Sequence, residues 1–174
     1  MRRTLLALVL FGIPGVAGAT TARHASLAEL VRESTVVALG TTEARESFWD
    51  GGRIYTRTHV HIVEVWAGSE LETHTVEVLT LGGVVDDLGQ RVAGAARLPL
   101  NRRVVLFLSA NGSGAFRPVG MAQGVTYVTD NGDSDPPIVR HIGGLRMVGE
   151  APSEPFPASL SLLRRAVQEL SRAR

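Results

Sequence analysis

From residue 34 onward the apolar residues of this chain recur at every second position, in short runs divided by glycine, asparagine and aspartate. That period constrains the fold more than any other feature. Successive side chains alternate across a strand, whereas an amphipathic helix needs spacings of three and four. Residues 36–40 (Val-Val-Ala-Leu-Gly) form a continuous apolar run and predict a buried strand that continues into the more polar 41–45. Asp50-Gly51-Gly52 predicts a tight hairpin turn, because Asp-Gly tolerates the positive φ angles such turns require. A long strand then spans 53–66, and further strands are expected at 75–81, 104–108, 116–121, 125–128 and 138–142. Residues 82–99, with Gly82, Gly83, Gly89 and Gly94, are less regular and predict bends or close backbone approach.

Two helices frame these strands. Ser26-Leu27-Ala28-Glu29 is a capping box opening a short helix over 26–33. Leu160, Leu163, Val167 and Leu170 stand at helical spacing within 158–172 and predict an amphipathic helix that docks by one face. No strand–helix alternation occurs, so a parallel α/β sheet is disfavoured. The expected fold is mainly β: a small closed OB-like barrel with a short N-terminal helix and a C-terminal amphipathic helix. The 14-residue stretch 53–66 is long enough to serve both halves of a coiled sheet. Trp49 and Trp66 border turns and are expected to plug the barrel ends.

Residues 1–19 have the anatomy of a secretory signal: Arg2 and Arg3, an apolar core, then Ala17-Gly18-Ala19. Gly12, Pro14 and Gly15 interrupt the core, which is shorter than the roughly 20 apolar residues of a spanning helix. The expected division is a signal over 1–19, a barrel domain over 20–149, and a proline-rich linker with a helix over 150–174. The mature protein is expected to be periplasmic or secreted. Formal charge changes with processing. The whole chain carries 18 basic residues, all arginine, against 17 acidic, and loss of Arg2 and Arg3 turns +1 into −1. With 5% aromatic residues and no lysine, the chain lacks the basic, aromatic groove that nucleic acid requires. Its zero cysteines exclude a disulfide framework and a thiolate nucleophile. A chain of this size does not depend on such staples.

Few residues suggest chemistry. His59 and His61 share one strand face, and His74 on the next strand is a possible third zinc ligand. Val60 and Ile62 are the better core residues, which places His59 and His61 on the solvent side. Asp130-Asn131-Gly132-Asp133-Ser134-Asp135 looks like an acidic calcium loop. It departs from the hand-type pattern, since glycine falls third and the twelfth position is His141. Ser113 lacks the Gly-x-Ser-x-Gly elbow, and Asp86-Asp87 lies in a glycine-flanked loop. No cofactor motif is present. The expected function is therefore an exported, non-enzymatic binding or interaction module. Its partner would be another exported protein or a cell-envelope component, with no transmembrane segment after signal cleavage. The candidate binding residues are Gly82, Gly83, Gly89, Gln90 and Gly94 together with Gly120, Met121, Gln123 and Gly124, because glycine lets a partner approach the backbone. The same glycines also suit bends.

Several stretches resemble a group of uncharacterised exported bacterial proteins. They are Asp50-Gly51-Gly52-Arg53-Ile54-Tyr55-Thr56-Arg57, Glu64-Val65-Trp66-Ala67-Gly68, Leu81-Gly82-Gly83, Val104-Val105-Leu106-Phe107-Leu108 and Gly120-Met121-Ala122-Gln123-Gly124. The resemblance covers residues 26–128. The layout is also similar to the netrin-like module of tissue inhibitors of metalloproteinases, which implies an OB-type barrel with flanking helices. It raises an alternative role as accessory or inhibitor of a secreted metalloprotease. Those inhibitors chelate the protease zinc with an amino-terminal cysteine that this chain lacks, so no inhibitory residue carries over. Ala67 also stands where that module has lysine.

Overall fold

The computed structural model describes residues 21–142 and 144–173. The expected signal over 1–19 lies outside the described residues. In chain order the elements are β1 (Thr21–Arg23), α1 (Leu27–Glu33), β2 (Val36–Asp50), β3 (Arg53–Gly68), β4 (Thr75–Leu81), β5 (Gly83–Val85), β6 (Leu88–Gln90), β7 (Arg103–Ala110), β8 (Phe116–Pro118), a 3-10 turn (Met121–Gly124), β9 (Val125–Val128), β10 (Ile138–Val139), β11 (Arg146–Val148) and α2 (Leu160–Arg172).

The structure is mainly β. Seven strands form one sheet in the order β10-β9-β7-β2-β3-β4-β8, and β8 pairs again with β7. The hydrogen bonds therefore close a ring through β7, β2, β3, β4 and β8. The closure is antiparallel between β7 and β8, and parallel at the single pair Val78–Phe116 between β4 and β8. Three register shifts in the β2–β3 hairpin, the last between Thr42 and Ala44, bend the two long strands. An extra residue on one strand of a pair increases local twist, which a ring of few strands requires.

The apolar pattern resolves into two cores. Val36, Ala38, Val60, Ile62, Val78, Val104, Leu106 and Leu108 fill the inside of the ring. On the outer face Val37, Leu39, Val105 and Phe107 meet Leu30, Val31, Leu163 and Val167 of the two helices. Strands β2 and β7 are thus buried on both faces, which explains why their sequences are continuous apolar runs while β3 and β4 alternate. Helix α1 begins as expected: Glu29 N donates to Ser26 Oγ at 3.2 Å, and Ser26 N donates to Glu29 Oε2 at 2.8 Å.

Some elements differ from the sequence reading. The strand expected over 116–121 stops at Pro118, because Gly120 and Met121 take φ angles of 61° and 60°. The strand over 138–142 shortens to Ile138–Val139. Residues 82–90 hold a small hairpin rather than bends alone, with Asp86 at φ 51° in its turn. The short parallel pair β1–β11 carried no sequence signal. Neither tryptophan plugs an end: Trp66 is buried with the helices, and Trp49 is half exposed beside the β2–β3 turn. Among the described residues, no helix is long and apolar enough to cross a membrane.

The acidic 130–135 segment has a different use from metal binding. Asp130 pairs with Arg103 at 2.7 Å, while Asn131 bonds locally to Asp133. Asp135 caps α2. Its carboxylate accepts from Ser159 Oγ at 2.7 Å, Ser161 Oγ at 2.7 Å and Ser161 N at 2.8 Å. A carboxylate at a helix N-terminus satisfies orphan donors and complements the helix dipole. The hydroxyls of Ser159 and Ser161, then the Ser161 amide, hold the Asp135 carboxyl below its usual range.

Two stability outcomes follow from this packing. Truncating the fully buried Phe107 to Ala is expected to cost about 3–5 kcal/mol, measured by denaturant unfolding, whereas Val63→Ala at an exposed position should stay within about 0.5 kcal/mol. Because the folded-state pKa of Asp135 is depressed, its contribution is present above the unfolded carboxylate range and is lost as pH falls through the folded value. Asp135→Ala should therefore lower the melting temperature at pH 7, and the difference from the parent should fade towards pH 3.

Candidate functional site

Beyond Thr41, β2 leaves β7 and continues paired with β3 alone. Thr42, fully buried, marks this parting. Its hydroxyl donates to Pro99 O and accepts from Arg102 N at 3.0 Å, while its carbonyl accepts from Asn101 N at 2.8 Å. One threonine thus anchors the end of the irregular 91–102 segment against β2. Between that segment, the far half of β2 and the β5–β6 hairpin lies an open cleft of about 810 Å³. Its size falls within the range of small-ligand sites.

The walls are held in place by bonds distributed along the chain. Ala122 N donates to Gly94 O at 3.0 Å, and the Leu145 side chain occupies the space a side chain on Gly94 would need. Tyr127 donates its hydroxyl to Arg97 O. Burial pushes the Tyr127 phenol up, so it remains a neutral donor across the ordinary pH range. On the hairpin side, Gln90 Oε1 accepts from Ile54 N and ties β6 to the start of β3.

The cleft is lined by three chemical groups. Arg45, Arg91 and Arg97 contribute guanidinium groups, and all three are exposed. Ser47, Thr56 and Thr80 contribute hydroxyls. Ser47 Oγ and Thr56 Oγ1 are 2.9 Å apart, and Thr56 Oγ1 donates to Gly82 O at 2.6 Å. With the Thr56 proton committed to that carbonyl, Ser47 is the donor of the shared bond. The Ser47 oxygen keeps lone pairs free to accept another hydrogen bond. Apolar surface comes from Val84, Val92, Ala96 and Leu98. A smaller pocket of about 210 Å³ adjoins it through Thr80, Leu81, Ala95 and Ala96, and adds Arg53, Tyr55, Arg117 and Met121.

The nine sequence-derived binding candidates divide between surface and scaffold. Gly82, Gly83, Gly89 and Gln90 line the cleft, and Met121 lines the smaller pocket. The other four are internal to the framework. Gly94 receives Ala122, which brings the two glycine-rich segments into contact. Gly120 turns the chain at positive φ, and a side chain at Gly124 would overlap the Val119 backbone. Gln123 is buried: its Oε1 accepts from Ala25 N at 2.8 Å and its Nε2 donates to Arg23 O at 3.0 Å. It closes the N-terminal strand onto the sheet. Gly83 also has a packing role, since a side chain there would strike Ser47 Oγ and Thr56 Oγ1.

The three histidines lie apart from this cleft. His59 and His61 are on the outer face of β3 with Arg57, as the alternation predicts. The His61 and His74 ring centroids are 6.4 Å apart, while His59 stands opposite Glu77. Among the described residues, no three His, Asp or Glu side chains gather where they could hold a metal ion. Arg57 organises this face, pairing with Glu46 at 2.6 Å and Glu77 at 3.0 Å and lying over the Phe48 ring at 4.8 Å. Ser113 Oγ and its own amide both donate to Asn111 Oδ1, a local turn arrangement. Asp86 and Asp87 form the exposed turn of the β5–β6 hairpin.

The arginines of the cleft are the residues that sequence reasoning passed over. Arg45 sits in a strand and Arg91 and Arg97 in an irregular segment, and no local pattern separates them from the other arginines. No protein-family model matches this chain, and comparison with curated proteins and with solved structures gives no match.

Substituting Tyr127 with Phe removes the bond that pins the Arg97 backbone. The expected cost is about 1 kcal/mol, with faster amide exchange confined to residues 91–99. Gln123→Ala removes the two partly buried bonds that hold the backbone of residues 23 and 25 and should cost about 1–2 kcal/mol by thermal unfolding.

Proposed function

We propose that this protein is an exported binding module, built on an OB-like barrel, that takes its partner in the cleft between β2, the β5–β6 hairpin and residues 91–99. The barrel assignment is supported by the strand order of the ring, in which four pairings are antiparallel and the pairing of β4 with β8 is parallel. Export is supported by the leader pattern of residues 1–19. The observation that carries the binding reading is that the cleft is preformed. Thr42, Ala122, Tyr127 and Gln90 each fix a different stretch of its wall, so a ligand need not pay to order it. A partner among exported proteins or cell-envelope components follows from the compartment.

Gly89 provides a clean test. It lies at the mouth of the cleft, its φ is not positive, and a side chain there meets nothing nearer than Val84 Cγ2 at 3.8 Å. Gly89→Trp should obstruct the cleft while leaving stability within about 0.5 kcal/mol of the parent. Amide exchange in the presence of concentrated cell-envelope extract is expected to show protection over residues 82–99 and at Ser47 and Thr56 in the parent protein. That protection should be lost in Gly89→Trp. Protection that survives the substitution, or that maps elsewhere, would sink the reading.

A further inference from the structure

We infer that the cleft recognises an anionic ligand, a carboxylate or phosphate carried on a hydroxylated, non-aromatic body. The inference rests on the binding-module reading for its location and on the chemistry of the lining for its substance. Arg45 lies on β2, whereas Arg91 and Arg97 lie on the segment that faces it across the cleft. None of the three takes part in the ion pairs found among the described residues, a state they share with Arg165 and Arg172 of α2; what sets them apart is that they converge on one cleft. The single carboxylate of the lining is Glu46, and Arg57 already holds it at 2.6 Å. The cleft therefore concentrates positive charge without a protein counter-ion, in a chain whose formal charge is close to neutral. A guanidinium fork matches the geometry of a carboxylate or phosphate and binds it with charge-assisted hydrogen bonds.

The rest of the lining narrows the class. No aromatic side chain lines the cleft, so a nucleobase finds no face on which to stack. The Ser47 oxygen, left as an acceptor by the Thr56–Gly82 bond, suits a ligand hydroxyl. A membrane surface fits less well. Asp86 and Asp87 occupy the tip of the hairpin that borders the cleft and would meet anionic headgroups first. The ligand so described is a soluble acidic or phosphorylated sugar.

The test is titration of the purified protein at fixed ionic strength, read by calorimetry and by melting temperature. The probes are glucuronate and its short oligomers, glucose 6-phosphate, neutral glucose, a tetraglutamate peptide, and vesicles containing phosphatidylglycerol. Binding of the uronates or of the sugar phosphate, with neutral glucose at least tenfold weaker, is the expected result, and the stronger of the two identifies the anion. Arg91→Gln and Arg97→Gln should each weaken that binding by about tenfold, as loss of one charge-assisted contact implies. Arg172→Gln on α2 should leave it unchanged. Equal affinity for neutral glucose, tighter binding of the peptide or vesicles, insensitivity to both arginine substitutions, or no binding of any charged sugar would overturn the inference. The two readings fail separately. Extract protection that Gly89→Trp abolishes, without any response to charged sugars, leaves the binding module standing and removes only its ligand class. Extract protection that maps away from the cleft removes the binding reading, whatever the sugars do.

Discussion

The pairing of β2 with β7 is the constraint on which the rest of this structure depends. Over Val36–Thr41 and Arg103–Leu108 the two strands are bonded in register, and both faces of the pair are covered. One face supplies the inside of the strand ring and the other supplies the floor on which α1 and α2 lie. Each apolar side chain in this stretch is committed to one core or the other, and a slip of one residue would exchange the two. Helix docking, ring closure and strand register are therefore set together. The cost of a cavity at Phe107 falls on the helix layer as directly as on the sheet.

The cleft arises where that pairing ends. Beyond Thr41 the β2 strand runs on with β3 only, leaving its other edge without β7. Natural sheets cover such edges, because unpaired backbone groups invite association. Here the cover is the 81–102 connection, folded into a small hairpin and a pinned loop rather than into a strand. Because that cover stands off from β2 instead of pairing with it, space remains between them. The arginines that border this space make no ion pair among the described residues, whereas Arg57 on the outer sheet face holds two carboxylates.

Much of this frame is legible in the chain. The capping box at Ser26, the Asp50-Gly51-Gly52 turn, the alternating 75–81 strand and the helical spacing of Leu160, Leu163 and Val167 each follow from local rules that tertiary packing did not override. The misses have physical causes. Met121 adopts a positive φ that no side chain advertises, so the strand after Phe116 is cut short. Asp135 reaches across to cap a helix that begins at Leu160, an interaction between segments that no pattern within either one reveals. The parallel β1–β11 pair joins residues more than a hundred positions apart and has no turn to announce it.

The amino-acid sequence by itself determined the long strands and both helices, since period, caps and turn glycines act over a few residues. It also set the formal charge and the absence of cysteine chemistry. Tertiary structure alone decided which of the described arginines pair with carboxylates, and that Gln123 and Gly94 belong to the scaffold while Gly89 faces the cleft. The reason is that ion pairing and burial depend on distances between segments far apart in the chain. Those distances exist only once β2 and β7 have paired and the connection between β4 and β7 has folded back over the exposed edge.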